Sequence, residues 1–298
     1  MTNIQNQPAT ESGTFKIGGD LQVYRLGYGA MRITGDGIWG QPKDKQGSLA
    51  VLRRALELGI NFIDTADSYG PNVSEELIAE ALYPYPKDLV IATKGGLLRT
   101  GPNQWPQDGR PAHLREALEG SLRRLRVDHI DVYQFHRPDP RVPFEDSMGE
   151  VAKMKQEGKI RHVGVSNVTI DELARAQKIV PIVTVQNRYN LSNHESERMT
   201  PQQSDELIDI CARQGIGFIP WGPLGGGDLA RPGGALDTVA KKHQVQPSQI
   251  TIAWLLHRSP TILPIPGTSS VKHLEENVVG ATIKLTPEEF EAINQAHK

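Results

Sequence analysis

The chain has 298 residues, with 33 Lys and Arg against 35 Asp and Glu and a net charge of −2. Both signs are interleaved, which excludes an electrostatic nucleic-acid groove or a basic membrane-binding face. The single cysteine, Cys211, excludes a disulfide framework and a cysteine-rich zinc site, and reads as a small apolar side chain in a helix. No run approaches the roughly 20 apolar residues of a membrane span. Residues 1–12 are polar, lack the apolar centre of a signal peptide, and are expected to be a flexible tail on one domain spanning 1–298. A reducing cytoplasm fits these features.

Taken in order, residues 14–17 and 21–24 flank Gly18, Gly19 and Asp20 and read as a hairpin with a glycine-supported turn. Residues 26–31 follow as a strand, then a loop carrying Trp39, then a helix over 47–58 ended by Gly59. The short apolar run 60–63 is a second strand, and Ser74 is expected to cap the next helix. Residues 89–94 form a strand, separated by the Gly/Pro-rich loop 95–111 from a helix over 112–126. The rhythm continues with strands over 130–136, 160–167, 182–187, 217–224 and 261–266. Between and after them lie helices over 144–156, from about 171, over 203–214, over 247–257 and, last, from about 271.

Eight strand–helix units with short apolar strands imply a parallel sheet covered by helices. Eight units in about 280 residues favour closure into an α/β (β/α)8 TIM barrel over an open sheet.

The strand ends are where the sequence changes character. They carry Asp64 and nearby Tyr69, Lys94, His136, Ser166 and Asn167, Gln186, Trp221, and the run Gly267, Thr268, Ser269, Ser270. Each alone has a plain explanation. Lys94 could be a surface lysine, His136 a satisfied buried histidine, Asn167 and Gln186 backbone-capping amides, and Trp221 a barrel plug. A barrel gathers all its strand C-termini on one face, where barrel enzymes place their chemistry. The set is therefore better explained as a site than as coincidences.

Over essentially its whole length the chain resembles the aldo-keto reductases. The resemblance rests on the motif from Gly59 to Gly70, Thr93-Lys94-Gly95, Tyr133 to His136, Gly164 to Asn167, Gln186 to Asn190, and Ile265 to Asn277. It is similar in particular to the bacterial pyridoxal reductase-like branch. It implies a barrel whose bottom is closed by the opening hairpin, and a catalytic tetrad of Asp64, Tyr69, Lys94 and His136. It implies NADPH, with NADH the weaker alternative, and a small carbonyl substrate. By the same resemblance Ser166, Asn167 and Gln186 clamp the nicotinamide against Trp221, with Met31 beside it. Leu224 and Gly226 meet the pyrophosphate. Gly267, Thr268, Ser269, Ser270, His273, Glu276 and Asn277 receive the adenosine end, at a helix N-terminus that favours anions. Trp221 replaces the family's commoner tyrosine. Gly267 and His273 stand where many members place a lysine and an arginine, with Lys272 and the hydroxyls as compensation.

The residue types suit the chemistry. Hydride addition to a carbonyl leaves negative charge on oxygen, which a positioned acid must protonate. Tyr69 is that acid, and a neighbouring ammonium, Lys94 aimed by Asp64, is expected to lower its pKa by ~1–3 units. His136 would donate a hydrogen bond to the carbonyl oxygen. Trp39, Trp105 and Arg137 are candidate walls of the substrate pocket. The short segment after the last helix implies an open, permissive site. Gly27-Tyr28-Gly29 lacks the third glycine and the following helix of a dinucleotide-binding fingerprint. No metal-ligand set stands at the strand ends. Two rivals remain: a Schiff-base enzyme using Lys94, and a non-catalytic NADPH-binding regulatory subunit.

Overall fold

A computed structural model describes residues 7–192, 198–225 and 235–295. Strands β1 (Thr14–Ile17) and β2 (Leu21–Tyr24) form the opening antiparallel hairpin, with Gly18 and Gly19 at positive φ in its turn. The remaining strands make one parallel sheet in sequential order. They are β3 (Tyr28–Gly29), β4 (Phe62–Asp64), β5 (Val90–Gly95), β6 (Ile130–Phe135), β7 (Ile160–Ser166), β8 (Ile182–Arg188) and β9 (Gly217–Trp221).

Helices cover the sheet. They are α1 (Lys45–Glu57), α2 (Val73–Leu82), α3 (Pro111–Leu125), α4 (Phe144–Gln156), α5 (Ile170–Gln177), α6 (Pro201–Gln214), α7 (Ala235–His243), α8 (Pro247–Arg258), α9 (Val271–Val279) and α10 (Pro287–Gln295). Several begin on side chains suited to the free N–H groups of a first turn. Asp44 accepts from Gly47 N at 2.8 Å, and Thr169–Glu172 and Thr200–Gln203 form capping boxes.

The ring is closed by chain that is not a strand. Residues 261–266 make a single bridge, Ile262 to Phe218, instead of the expected eighth strand. Pro264 and Pro266 have no N–H to give a ladder. The segment still joins the sheet's edges. Phe218 N donates to Thr261 O and Leu263 N to Phe218 O, both at 2.8 Å, while Gly27 N donates to Pro264 O at 2.9 Å. The result is a (β/α)8 barrel whose eighth stave is an irregular seam.

The hairpin plugs one end. Ile17, Leu21 and Val23 share an apolar cluster with Phe62, Val90, Ala92, Val132, Ile219, Leu263 and Ile265 from the barrel interior. Burying each such side chain contributes about 1.5–3 kcal/mol. That dry floor leaves the strand C-termini as the polar end.

Four local expectations are corrected. The flexible tail expected over 1–12 is ordered from Pro8, because Pro8–Ser12 is a 3-10 turn with Ala9 buried and its N–H on Leu58 O. The first barrel strand shrinks to Tyr28–Gly29 before a 3-10 turn at Ala30–Ile33. Asn72, with φ +70°, precedes α2 as its N-cap; Ser74 lies inside, its hydroxyl meeting Ala30 O and Thr65 Oγ1. The helix from Val271 is followed by a further one, α10.

Candidate active site

Asp64 is the last residue of β4, Lys94 the fifth of β5, and His136 follows β6 directly. Tyr69 comes off the loop after β4, packed against an apolar wall of Ile38, Ala66, Met31 and Trp105. All four residues of the expected tetrad meet at one mouth. Lys94 Nζ stands 2.6 Å from Asp64 Oδ1, 2.8 Å from Thr65 O and 3.4 Å from the Tyr69 hydroxyl. The Tyr69 ring is 6.1 Å from the His136 ring, edge to face, and 6.3 Å from Trp105.

Burial sets the protonation states. Lys94 has no exposure and Asp64 is 2 % exposed. Burial is the largest single influence and disfavours the ammonium, but the Asp64 charge, the Tyr69 oxygen and the hydrogen bonds to both together outweigh it, and the Lys94 pKa ends above its ordinary value. Tyr69 does not follow the sequence expectation. Burial raises its pKa, the Lys94 charge opposes this, and the phenol still ends above 10. Taking the whole group out of water outweighs one favourable cation when Asp64 and Asp67 act against it. At neutral pH Tyr69 therefore carries its proton. His136 moves the other way. Burial, then the charges of Lys94 and Arg137, push its pKa well below 6.5, leaving a neutral imidazole with one N–H to donate.

A second acid sits behind this chain. Asp67 is 8 % exposed and its Oδ1 finds no hydrogen-bond partner among the described residues. Burial and neighbouring Glu75 hold its carboxyl well above the ordinary range, against the weaker pull of Arg124. Glu75 is better satisfied, accepting from Thr93 Oγ1 at 2.5 Å and Arg124 Nε at 2.7 Å.

Next to the tetrad lies a network of polar side chains. Asn167 takes a left-handed backbone, φ +57°, which a short polar side chain tolerates. Its Nδ2 donates to His136 O and to Ser166 Oγ, both at 3.0 Å, and its Oδ1 accepts from Trp221 Nε1 at 3.0 Å. Gln186, expected on the cofactor, donates Nε2 to Asp64 Oδ2 at 2.8 Å. Its nitrogen is thus engaged within the tetrad, leaving its oxygen for a ligand.

A cavity of about 410 Å³ opens beside Met31, Arg32, Gly267, Thr268 and Ser269. It leads to the N-terminus of α9, where Ser270 is the N-cap and accepts from His273 N at 3.4 Å. Ser269, Lys272 and His273 are exposed, Gly267 and Glu276 half-buried, and Asn277 buried. Hydroxyls, free helical N–H groups and Lys272 suit a phosphate there. Leu224 is half-buried against the core. Gly226 lies outside the described residues.

Of the expected pocket walls, Trp105 faces Tyr69, Arg137 is half-buried beside His136, and Trp39 lies 37 % exposed further out. Two residues escaped sequence reasoning. Arg99 stacks on Trp105, its Cζ 3.7 Å from the ring centre, and stands 5.7 Å from Trp39. Its guanidinium also donates to the carbonyls of Ser68, Ile38, Gly37, Gly101 and Gln104. Gln134 gives its Nε2 to Asp64 Oδ2 at 3.0 Å. An arginine in a Gly/Pro-rich loop and a glutamine in a largely apolar strand were the only signals.

Comparison with known proteins identifies the family. The family model described as "Aldo/keto reductase family" matches residues 25–298. An uncharacterized oxidoreductase of Schizosaccharomyces pombe is 53 % identical over 290 residues, covering 97 % of this chain and 92 % of that protein. Pyridoxine 4-dehydrogenase of Escherichia coli is 43 % identical over 284 residues, covering 93 % and 96 %. Among solved structures, an aldo/keto reductase from Klebsiella pneumoniae in complex with NADP and acetate superposes with a TM-score of 0.79. It is 25 % identical and covers 95 % of each chain. With its barrel, the four residues at its mouth and these relatives, the chain belongs to the aldo/keto reductase family and is an NAD(P)H-dependent oxidoreductase.

Proposed function

We propose that the protein reduces small aldehydes and ketones to alcohols with NADPH in the cytoplasm, with Tyr69 as the proton donor. The carrying observation is the buried chain from Asp64 through Lys94 to the Tyr69 hydroxyl, at 2.6 and 3.4 Å. When bound, the nicotinamide supplies a hydride to the carbonyl carbon. The protein's own groups do the rest. Tyr69, protonated at neutral pH, delivers a proton to the carbonyl oxygen, and the charged Lys94 stabilises the phenolate left behind until solvent restores the proton. Neutral His136 donates its N–H to the same oxygen and fixes which way it points.

The cofactor site is assigned on chemistry. Ser166, Asn167 and the oxygen of Gln186 would hold the carboxamide, and Trp221 and Met31 would offer apolar surface to the nicotinamide. Trp221 suits this because its N–H is already committed to Asn167, which fixes the ring plane. Leu224 would border the pyrophosphate; Gly226, assigned with it from the sequence, lies outside the described residues. Gly267, Thr268, Ser269 and Ser270, with Lys272, His273, Glu276 and Asn277, would receive the adenosine end. Clustered hydroxyls at a helix N-terminus favour the extra phosphate of NADPH over NADH.

The Schiff-base alternative suffers from the same chain. A lysine held as an ammonium by Asp64 has no lone pair to attack a carbonyl. The relative named for pyridoxine supplies one specific alcohol, pyridoxine, whose oxidation can be assayed beside the reduction of simple aldehydes. The test is aldehyde-dependent loss of NADPH absorbance by wild type and Tyr69→Phe. Turnover in the wild type and a loss of about 10²–10⁴-fold in kcat in the variant, with NADPH still bound, is expected. NADPH binding without turnover in the wild type would instead mark a regulatory subunit.

A further inference from the structure

Strand register places Lys94 beside Gln134, Gln134 beside Gly164, Gly164 beside Thr184, and Thr184 beside Gly217. Residues aligned in this way form one row across β5 to β9, at the level of the Lys94 side chain. The row's two glycines leave space for its larger members. A Cβ at Gly164 would stand 2.9 Å from Gln134 Cγ and 2.1 Å from Thr184 Oγ1. Two residues earlier on β6, Val132 belongs to the apolar floor. Gln134 is thus a fully buried primary amide where an aliphatic side chain would fill the layer without hydrogen-bonding obligations.

Those obligations are met in a specific way. Gln134 Nε2 and Gln186 Nε2 both donate to Asp64 Oδ2, at 3.0 and 2.8 Å, while Asp64 Oδ1 accepts from Lys94. Gln134 Oε1 also accepts from Gln186 Nε2, at 3.4 Å. Both hydrogens of the Gln186 amide are therefore engaged, and its oxygen is the end left for a ligand. We infer that Gln134 is a positioning residue that couples the two halves of the site. Through Asp64 Oδ2 it holds the carboxylate on Lys94, and through its own oxygen it turns the Gln186 amide toward the cofactor's carboxamide.

The inference rests on the carbonyl-reduction reading and adds a residue to it. The charged groups near Gln134 are Asp64 on β4 and Lys94 on β5, whereas its neighbours on β7 and β8, Gly164, Thr184 and Gln186, are uncharged.

Gln134→Met keeps the length of the side chain and removes both of its hydrogen-bonding ends. A coupling role predicts a fall of about 10-fold in kcat per folded enzyme with the carbonyl KM changed less than about 3-fold. It also predicts a larger solvent deuterium isotope effect on kcat, because proton delivery becomes slower, and weaker NADPH binding by fluorescence titration. A folded Gln134→Met enzyme with wild-type kcat, isotope effect and NADPH affinity overturns it. Should the variant not fold, the wild-type protein decides by NMR. Amide protons bonded to a buried carboxylate are deshielded and protected from exchange, so the Gln134 side-chain amide should show both properties. Solvent-like shifts and fast exchange there overturn the inference. If the wild type itself lacks aldehyde-dependent NADPH oxidation, the reduction reading has failed; normal kcat in Gln134→Met beside an active wild type removes only Gln134.

Discussion

Lys94 and Asp64 form an ion pair of 2.6 Å with 0 % and 2 % of their side chains exposed. Removing two charges from water is expensive, and losing one partner of such a pair typically costs about 3–5 kcal/mol because the survivor is stranded. The pair is therefore a poor stability device by itself. Its geometry makes sense once the third distance, 3.4 Å to the Tyr69 hydroxyl, is added.

Lys94→Met should accordingly damage both stability and chemistry. Thermal unfolding should show a loss of about 3–5 kcal/mol from the stranded Asp64 charge. Single-turnover reduction should slow about 10²-fold or more, since the phenolate loses its cation. A variant with near-normal single-turnover rate would remove Lys94 from proton delivery.

Asp67 offers a contrast within the same motif. Its carboxyl is held well above the ordinary range by burial and Glu75, so its charged form is disfavoured. Asp67→Asn keeps the size and polarity of a group whose charge is already disfavoured and should leave kcat within about 3-fold of wild type. Asp64→Asn, which removes a charge paired to Lys94, should cost far more. Equal losses in steady-state assays of the two variants would show that Asp67 is ionised.

The pH profile follows from two opposite displacements. Tyr69 is raised above 10 and, as the proposed proton donor, acts only when protonated, so reductive kcat/KM should fall only as pH climbs beyond the ordinary phenol range. His136 is depressed well below 6.5 and stays neutral down to acid pH. No inflection near 6.5 is expected. A titration of kcat/KM showing one would mean that the imidazole is in contact with water.

Arg99 ties the loop after β5 to the one after β3 and to the carbonyl of Ser68, the residue before Tyr69. Arg99→Ala should raise carbonyl KM about 10-fold by freeing Trp39 and Trp105, and change intrinsic tryptophan fluorescence. Arg99→Lys should not restore it, because an ammonium cannot stack flat on Trp105 or fork to several carbonyls. Full rescue by lysine would reduce Arg99 to a point charge.

Much of the site was legible along the chain. Asp64, Lys94 and His136 each interrupt or end an apolar strand run, and Tyr69 falls five residues after Asp64 in the following turn. A polar group at that point of a barrel strand has little to do with packing, so its place at the mouth shows in one dimension. Gln134 was not legible, although it lies in a quoted motif, because nothing along β6 tells that it meets Asp64 from β4 and Gln186 from β8. Arg99 was hidden for the same reason; its carbonyl partners come from three loops.

The seam at 261–266 shows the limit of a pattern argument. Its apolar run reads as a strand, yet two prolines leave too few donors for a ladder, and only its neighbours Gly27 and Phe218 show how the ring is joined.

Alternating apolar runs and helical periods, fixed by local covalent geometry and side-chain type, were enough to indicate the barrel and the polar residues that end its strands; that Asp64, Tyr69, Lys94 and His136 form one set came from the resemblance of the motifs to a family. Protonation was decided only in three dimensions. Whether Tyr69 is made more or less acidic depends on how much water burial removes and on which charges approach from other strands. Those distances exist only once the chain has closed on itself.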